Sequence, residues 1–384
     1  MKVLIKAIAK FFSEADVLLL ALSLISVVYG IVLVYSVVRN FETGNEFYVQ
    51  IGATVIGLGL FVLFSYVDID IIADKSVLLL IFSALFISTL QFWGVGMEEV
   101  GNNAWLRFAG IGIQPAEVVK IPFIIIIAKM ITTFRERKSL NNFLSLVQIV
   151  LVFGVLTALI LGVSADLGSA LVYAFILLAM LFVGGVKLRW FAIGAAIVAA
   201  VFPFFWANYM TDLQRARVMA PFPFFADTLG VGVYDRINWQ ANQSVSAIAS
   251  GGFLGQGLGN GRFTQNQSIP AQHTDFIFSA AGEELGFLGC LIIVGLLVSV
   301  IVRCVYVGVK SNNSLGMLVC TGVAAMLIIH TISNIGMNLR MLPVIGIGLP
   351  FFSYGGSAIV TCMAAMGIVS GIKMRPKPYR FRSL

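Results

Sequence analysis

Long, uninterrupted apolar stretches dominate this chain of 384 residues, and about ten of them approach or exceed the length of a membrane-spanning helix. A helix of about 20 apolar residues crosses the hydrocarbon core of a bilayer. Because the stretches are continuous rather than alternating, they exclude a closed β-barrel. The predicted spans are 17–38, 47–67, 77–96, 116–134, 143–163, 167–185, 190–207, 284–308, 315–339 and 355–373.

Charged residues are scarce, which supports the same fold class. They make up only 11% of the chain, whereas an ordinary soluble chain carries about 25%. This composition excludes a soluble enzyme, and the net charge of +7 is not read as a nucleic-acid footprint. We therefore predict an all-α polytopic membrane protein with ten transmembrane helices, in which residues 1–384 form a single integral membrane domain.

The positions of Lys and Arg predict the orientation of the spans. The tails and short loops of one side hold sixteen of these residues, whereas the short loops of the other side hold only Arg39, Arg107 and Arg340. Cytoplasmic loops carry the excess of positive charge. We therefore expect both termini in the cytoplasm and an even number of spans, which agrees with ten.

One connection is much longer than the others. Residues 208–275 join the seventh and eighth spans on the non-cytoplasmic side, whereas most connections in compact proteins are shorter than about ten residues. The segment contains aromatic residues such as Tyr234 and Trp239. We interpret it as a long extracytoplasmic loop of short amphipathic pieces that lie at the outer membrane surface.

Several ionisable residues fall inside or beside the apolar spans, where a charge is costly and commonly faces a cavity. Glu117 and Lys120 are three residues apart, so that they lie on one helix face and can pair. The alternative for them is a neutralised structural pair. Asp166 precedes the sixth span, and its alternative role is the N-cap of that helix.

The most polar stretch lies where the long outer loop enters the eighth span. His273, Asp275, Glu283 and Glu284 fall within twelve residues, among Phe, Ile and Leu. A carboxylate in such surroundings can have a raised pKa and serve as a general base. The alternative is that Asp275 caps the eighth helix and the two glutamates stabilise its first turns.

Two glycine-rich stretches have different interpretations. Residues 250–261 lack the Lys-Ser/Thr end of a P-loop, so that tight turns are favoured over a nucleotide site. Residues 342–357 contain two prolines and several glycines within an apolar segment. Broken backbone of this kind is tolerated in a membrane where it is buried in protein or lines a wet cavity, and it therefore predicts a cavity.

These motifs resemble the signature blocks of the SEDS family (shape, elongation, division and sporulation). His273-Thr274-Asp275-Phe276-Ile277-Phe278 with the following Glu-Glu-Leu-Gly carries the resemblance. Three further blocks occur in the expected order: Gln114-Pro115-Ala116-Glu117 with Lys120, the Gly-rich run at 250–261, and Leu-Pro…Ser-Tyr-Gly-Gly-Ser at 342–357. The resemblance spans roughly residues 100–360 and agrees with a ten-helix topology.

The resemblance implies a peptidoglycan glycosyltransferase that polymerises lipid II at the outer face of a bacterial cytoplasmic membrane. By similarity, Asp275 is the catalytic carboxylate that deprotonates the 4-hydroxyl of the acceptor sugar. The expected substrate-binding residues are Glu117, Lys120, Asp166, His273, Glu283, Ser353, Gly355 and Gly356. A divalent cation (Mg²⁺ or Mn²⁺) is expected to neutralise the diphosphate leaving group, and no nucleotide is implied.

The expected partners are lipid II, a class B penicillin-binding protein and other membrane proteins of an elongation or division complex, with no nucleic acid. The short tails favour an elongation protein of the RodA type over an FtsW-type division or SpoVE-type sporulation polymerase. Two alternatives remain open: a flippase of lipid-linked sugars and a non-catalytic scaffold for a penicillin-binding protein.

Two motifs depart from the family pattern. Ser164-Ala165 precede Asp166 where the family commonly has Gln-Pro, and the Trp105 and Arg107 pair differs from the usual Gly-x-x-Arg-Trp arrangement. The local geometry around Asp166 and Arg107 is therefore expected to differ from that of the family.

Overall fold

The computed structural model of the chain describes residues 11–40, 45–96, 103–108, 111–208, 210, 212–222 and 231–375. Lys2, Lys6, Lys10, Lys377, Arg380 and Arg382, which contribute to the predicted orientation, lie outside the described residues. In chain order, the membrane-region helices are α1 Val17–Val38, α2 Asn45–Tyr66, α3 Ile69–Asp74, α4 Ser76–Ser88, α5 Leu90–Trp93, α6 Pro115–Glu136, α7 Phe143–Leu159, α8 Leu167–Gly184 and α9 Leu188–Asn208. After them come α10 Asp212–Met219, α11 Val231–Gly251, α12 Arg262–Gln265, α13 Ile277–Lys310, α14 Ser314–Asn338 and α15 Gly356–Met374.

Nine of the predicted spans coincide with described helices that are long and apolar enough to cross a membrane. The remaining predicted span, 116–134, is α6, which has 22 residues but also carries Glu117, Lys120 and Lys129. The chain is therefore a multi-pass helical membrane protein. The eighth span begins at Ile277, seven residues earlier than the predicted start at Glu284, and Glu283 lies buried within the helix rather than before it.

The tight hairpin between α7 and α8 has a distinct backbone. Helix α7 continues as a π-helical turn over Ile160–Ser164, and Ala165 then adopts a left-handed conformation with φ of 53°. Asp166 follows as the N-cap of α8. A π-helical turn followed by a single left-handed residue reverses the chain within three or four residues, which explains how so short a connection joins two spans.

Helices α14 and α15 form the centre of the bundle. In the most apolar 18-residue stretch of each helix, 67% of the α14 residues and 78% of the α15 residues are buried. Helix α15 packs closely on α2, because a Cβ at Gly367 would lie 2.5 Å from the Phe61 carbonyl oxygen. Small residues permit such close approach of membrane helices. By contrast, no residue of α9 is buried.

A small antiparallel sheet follows α5, which the sequence analysis did not predict. Its strands are β1 Gly94–Val95, β2 Trp105–Phe108 and β3 Ile111–Ile113, in the order β1-β2-β3. Gly94 pairs with Leu106, and Leu106 pairs with Ile113 on the other side. The sheet leads directly into Gln114 and α6, and so fixes the entry to the helix that carries the Glu117–Lys120 motif.

The long connection 208–275 is largely helical where it is described. It contains α10, α11 and α12, and residues 223–230 lie outside the described part. One face of α11 is buried through Asn238, Ala241, Ser244 and Ala247, whereas Trp239 on another face is exposed. A helix with this alternation is amphipathic. Its position relative to a membrane surface stays a prediction.

Candidate active site

A cavity lies between the N-terminal half of α6, the start of α8, the middle of α14 and the segment from Gly346 to Gly355. The turn that contains Thr274 and Asp275 closes one side of it, and Trp105 of β2 lines another. The broken segment predicted to border a cavity therefore does so. Among the residues predicted to form a site, the structure brings Glu117, Lys120, Asp275, Ser353 and Gly355 to this one cavity.

The Glu117–Lys120 motif forms a buried ion pair on α6. Lys120 is completely buried, and its Nζ contacts a carboxylate oxygen of Glu117. Lys120 Nζ also lies 2.8 Å from Nε2 of His330, whose Nδ1 lies 3.2 Å from the Gly348 carbonyl oxygen. The sequence analysis did not single out His330. Its signal was available, because it is one of only two histidines and falls within an apolar span.

Asp275 is fixed through its backbone, which leaves its carboxylate for the cavity. Its N–H donates to the Ala271 carbonyl at 2.9 Å. Its carbonyl oxygen accepts hydrogen bonds from Nδ2 of Asn334 at 2.8 Å and from Nδ2 of Asn338 at 3.0 Å. Burial raises the pKa of the Asp275 carboxyl to about 6. A carboxylate with a pKa near the working pH is suited to proton transfer.

The turn before α15 adjoins the turn that carries Asp275 and also lines the cavity. Ser353 Oγ donates to the Thr274 carbonyl at 2.5 Å and accepts from Leu349 N–H at 2.7 Å. Buried Gln50 donates to the Ser353 carbonyl and accepts from Gly355 N–H. These bonds satisfy non-helical backbone inside the protein, as a membrane interior requires. Ser353 therefore joins the broken segment to the turn that carries Asp275.

Comparison with known proteins agrees with this arrangement. The family of FtsW/RodA/SpoVE cell cycle proteins matches residues 16–377. The chain belongs to this family. These are the proteins that the sequence analysis described as SEDS.

Similar proteins include peptidoglycan glycosyltransferases with two different names, MrdB and FtsW. The peptidoglycan glycosyltransferase MrdB of Escherichia coli (strain K12) is 32% identical over 328 residues, which is 85% of each chain. A probable peptidoglycan glycosyltransferase FtsW of Trichlorobacter lovleyi is 30% identical over 374 residues, which is 95% of each chain.

Solved structures share the fold. A chain from a peptidoglycan synthase complex that coordinates polymerization and crosslinking superposes with a TM-score of 0.79 at 26% identity, covering 96% of this chain and 99% of that one. The rod shape determining protein RodA of Thermus thermophilus superposes with a TM-score of 0.67 at 23% identity, covering 94% and 97%. The second likeness concerns the fold alone.

Asp166, a predicted substrate-binding residue of this FtsW/RodA/SpoVE member, is placed as a helix cap. It accepts from Ser169 N–H at 2.9 Å and from Ser169 Oγ at 2.7 Å, and Gln114 Nε2 donates to it at 2.9 Å. Gln114 and Ser169 line the cavity, whereas Asp166 is not among the lining residues. The Asp166 carboxylate therefore caps α8 and contacts two residues that line the cavity. The N-cap role is the alternative that the sequence analysis left open.

Glu283 also lies away from the cavity, unlike its predicted contact with substrate. Its carboxylate is fully buried and accepts from the N–H groups of Phe263 and Thr264 at 2.8 and 2.9 Å and from Thr264 Oγ1 at 2.7 Å. Glu284 accepts in the same way from Ser36 Oγ and Gln265 Nε2. A carboxylate whose oxygens are engaged in this way connects the outer loop to α13 and has little capacity left for a ligand.

The glycine-rich run packs against a break in α13. Gly286 has φ of 67° and ψ of −164° inside that helix. The N–H groups of Gln256 and Gly257 donate to the carbonyls of Glu283 and Glu284. A Cβ at Gly255 would lie 2.2 Å from the Glu284 carbonyl oxygen, so that only glycine fits. The run is therefore the set of tight turns that the sequence analysis favoured.

The two remaining predicted residues border the cavity without lining it. The His273 carbonyl accepts from Tyr354 N–H at 2.8 Å, and the two rings are 5.4 Å apart. Burial lowers the pKa of the His273 ring, so that it is neutral near pH 7. Gly356 begins α15 directly after the lining residue Gly355. Arg107, the residue of the altered motif, is exposed on β2.

The predicted divalent cation has no protein-only site in the described residues. Among them, no group of three or more His, Cys, Asp or Glu side chains is arranged to hold a metal ion. Mg²⁺ is commonly held by one or two carboxylates together with phosphate oxygens of a substrate. The residues present therefore do not form a metal centre by themselves.

Proposed function

We propose that this protein is a peptidoglycan glycosyltransferase that polymerises lipid II into glycan strands and releases undecaprenyl diphosphate. The observation that carries the proposal is one cavity lined by both Asp275 and Lys120, within a helical membrane protein. A base and a cation that line the same cavity suit the transfer of a sugar from a diphosphate carrier. The names of the relatives, peptidoglycan glycosyltransferase MrdB and FtsW, support the same activity.

The proposed reaction needs a base at the acceptor and a positive charge at the leaving group. Asp275, with a pKa of about 6, is largely ionised at pH 7 and takes the proton of the acceptor's 4-hydroxyl. The oxygen then forms a bond to the anomeric carbon of the donor sugar as the bond to the diphosphate breaks. The Lys120 ammonium compensates the negative charge that develops on the departing diphosphate.

Residues beside the cavity orient the Asp275 turn rather than exchange protons. Asn334 and Asn338 clamp the Asp275 carbonyl, and Ser353 bonds the neighbouring Thr274 carbonyl. These contacts fix the carboxylate relative to α14 and to the turn before α15. Pre-orientation of a base lowers the barrier because less ordering is needed at the moment of reaction. A divalent cation, where used, would be bound mainly by the diphosphate of the substrate.

The proposed setting is the cytoplasmic membrane of a bacterium, with both termini in the cytoplasm and Asp275 on the outer side. The excess of Lys and Arg on one set of loops supports this orientation. A class B penicillin-binding protein is the proposed partner, since the solved neighbour with the TM-score of 0.79 comes from a peptidoglycan synthase complex. We assign an elongation role of the RodA type, with a division or sporulation role as the alternative.

The test is a polymerisation assay with fluorescent lipid II. Wild type, Asp275→Asn and Asp212→Asn are each purified with a class B penicillin-binding protein whose transpeptidase is blocked. Asp212 is a matched control because its side chain is fully exposed on the outer connection. We expect glycan ladders from wild type and Asp212→Asn and a loss of at least about 100-fold for Asp275→Asn, in line with removal of a general base.

Other outcomes have defined meanings. Equal ladders from all three proteins would support polymerase activity but contradict the assignment of Asp275 as its base. An absence of ladders from all three, with the complex intact and a normal thermal melt, would contradict the polymerase and favour the flippase or the scaffold. Complementation of an elongation-deficient or a division-deficient strain would separate the RodA-type role from the FtsW-type role.

A further inference from the structure

The His330 side chain contacts two walls of the cavity, Lys120 on α6 and the Gly348 carbonyl in the broken segment before α15. It is buried in the middle of α14, and it lines the cavity together with Lys120 and Gly348. Its Nε2 is 2.8 Å from Lys120 Nζ, and its Nδ1 is 3.2 Å from the Gly348 carbonyl oxygen. Both ring nitrogens are therefore engaged, one by a cation and the other by backbone.

The chemistry of the two partners fixes the protonation of the ring. A carbonyl oxygen only accepts a hydrogen bond, so that Nδ1 must carry the hydrogen that faces Gly348. An ammonium group only donates, so that Nε2 must be the bare nitrogen that faces Lys120. Both requirements are met by the single neutral tautomer with the hydrogen on Nδ1. His330 is thus a neutral acceptor for the ammonium, and it adds no second positive charge.

This acceptor determines where the Lys120 ammonium points. An ammonium has three donors. One faces Glu117 and one faces His330, and no described residue accepts from the third. With Glu117 alone, the ammonium would be free to turn about its carboxylate partner. Two acceptors at fixed positions hold it in one orientation, with the third N–H left for a ligand in the cavity.

A purely structural role for His330 would be to satisfy the Gly348 carbonyl of the broken segment. A shorter side chain serves that purpose one helical turn further on, where Asn334 Nδ2 donates to the Ile347 carbonyl at 2.8 Å. The additional atoms of the imidazole are what reach Lys120. The choice of a ring at position 330 is explained by the contact with the cation rather than by the backbone alone.

We propose that His330 is a positioning residue that orients the Lys120 ammonium toward the anionic diphosphate group of the lipid-linked substrate. The proposal rests on the proposed function for the identity of the anion. It adds a role for a residue outside the motifs that carry the family resemblance. His330 acts through Lys120 and makes no bond to the reacting atoms.

Two amide substitutions separate the roles of the two ring nitrogens. In His330→Gln, the side-chain amide oxygen can take the place of Nε2 and accept from Lys120, whereas the bond to Gly348 is lost. In His330→Asn, the amide nitrogen can take the place of Nδ1 and donate to Gly348, whereas the side chain is too short to reach Lys120. The proposal expects the glutamine variant to retain function, and a structural role expects the asparagine variant to do so.

The readout is binding rather than turnover, so that it does not depend on polymerase activity. Farnesyl diphosphate and the neutral alcohol farnesol are titrated into the full-length protein in detergent, with quenching of tryptophan fluorescence as the signal. Trp105 lines the cavity and provides that signal. Wild type, His330→Gln, His330→Asn and Lys120→Met are compared, and each is first checked by its thermal melt.

We expect wild type and His330→Gln to bind farnesyl diphosphate with affinities within about threefold of each other. His330→Asn and Lys120→Met should bind it roughly tenfold more weakly, as for the loss of one charge-assisted hydrogen bond. Farnesol should bind all four proteins equally, since it carries no anion. The ratio of the dissociation constants for farnesol and farnesyl diphosphate is compared between the proteins. A general loss of stability would weaken the binding of both ligands and leave this ratio unchanged.

Three results would overturn the proposal. They are a wild type that prefers farnesyl diphosphate no more than farnesol, an asparagine variant that outperforms the glutamine variant, and equal losses in both. If the expected binding pattern is found but no glycan ladders form in the polymerisation assay, the role of His330 stands and the proposed function fails. The two hypotheses are therefore tested separately.

Discussion

Removal of Glu117 alone should destabilise the protein more than removal of any exposed charge. Glu117→Gln leaves the Lys120 ammonium, which is completely buried, without its anionic partner and with only neutral acceptors beside it. Removing one partner of a buried pair costs about 3–5 kcal/mol, because the other charge stays buried and uncompensated. We expect the free energy of unfolding to fall by about 3 kcal/mol or more.

The burial of the two partners predicts an asymmetry between the single substitutions. The Glu117 side chain is 13% exposed and faces the cavity, whereas Lys120 is 0% exposed. Lys120→Met therefore leaves a carboxylate that water in the cavity can reach, and its cost should be about 1–3 kcal/mol. The double variant Glu117→Gln/Lys120→Met contains no buried charge at this site and should lie within about 1 kcal/mol of wild type.

Equilibrium unfolding in mixtures of a mild detergent and sodium dodecyl sulfate measures these free energies. The matched control is Asp74→Asn, which removes the partner of Lys129 in a pair of 2.5 Å whose side chains are 49% and 29% exposed. An exposed pair of this kind is worth about 0–1 kcal/mol. The reasoning is refuted if Glu117→Gln costs no more than Asp74→Asn, or if the double variant loses the sum of the two single losses.

Three further predictions concern the surroundings of the cavity. Because Asp275 must be ionised to act as a base, turnover should rise with pH, reach half of its maximum near the Asp275 pKa of about 6 and level off above about pH 7. The raised pKa also means that ionisation of Asp275 weakens the fold. In melts across that pH range, Asp275→Asn should therefore be more stable than wild type above about pH 6 and equal to it below about pH 4. Gly255→Ala should lower the free energy of unfolding by about 2–4 kcal/mol, because its Cβ would lie 2.2 Å from a backbone carbonyl oxygen. Gly252→Ala also has a positive φ but open space around it, and should lower that free energy by only about 1–2 kcal/mol. Similar melting temperatures for the two variants would contradict the packing argument. Asn338→Leu removes a donor to the Asp275 carbonyl, and it should lower turnover roughly tenfold while leaving the affinity for farnesyl diphosphate unchanged. An unchanged turnover would contradict a positioning role for Asn338.

The transmembrane architecture could be predicted from the sequence in nearly all its parts. Continuous apolar runs predict spans because the bilayer sets one length for every helix, and the helices begin and end within a few residues of the prediction, except α13. There, the predicted span began at Glu284 and left out residues 277–283. The structure buries Glu283 and Glu284, because N–H and hydroxyl donors from α12 and α1 satisfy their oxygens.

The candidate site was predicted in part. Glu117 and Lys120 could be paired from their spacing, since residues three apart on a helix are neighbours. Asp166 and Glu283 share the chemistry of a ligand-binding carboxylate, and nothing local distinguishes that role from a cap or a brace. His330 is 210 residues from Lys120 along the chain, and no periodic pattern connects two residues on different helices.

The sequence by itself therefore determined the membrane class, the extent of nine apolar spans, and the presence of an acidic residue at the entry to the eighth span and of a broken apolar segment before the last one. These properties depend on the bilayer and on helix periodicity, which act on each segment separately. Only the tertiary structure decided which polar groups share the cavity. Asp275, Lys120 and His330 meet there because α6, α14 and the turn before α13 pack together. Whether a carboxylate can bind a ligand or instead holds the fold together depends on which hydrogen-bond donors that packing brings to its oxygens.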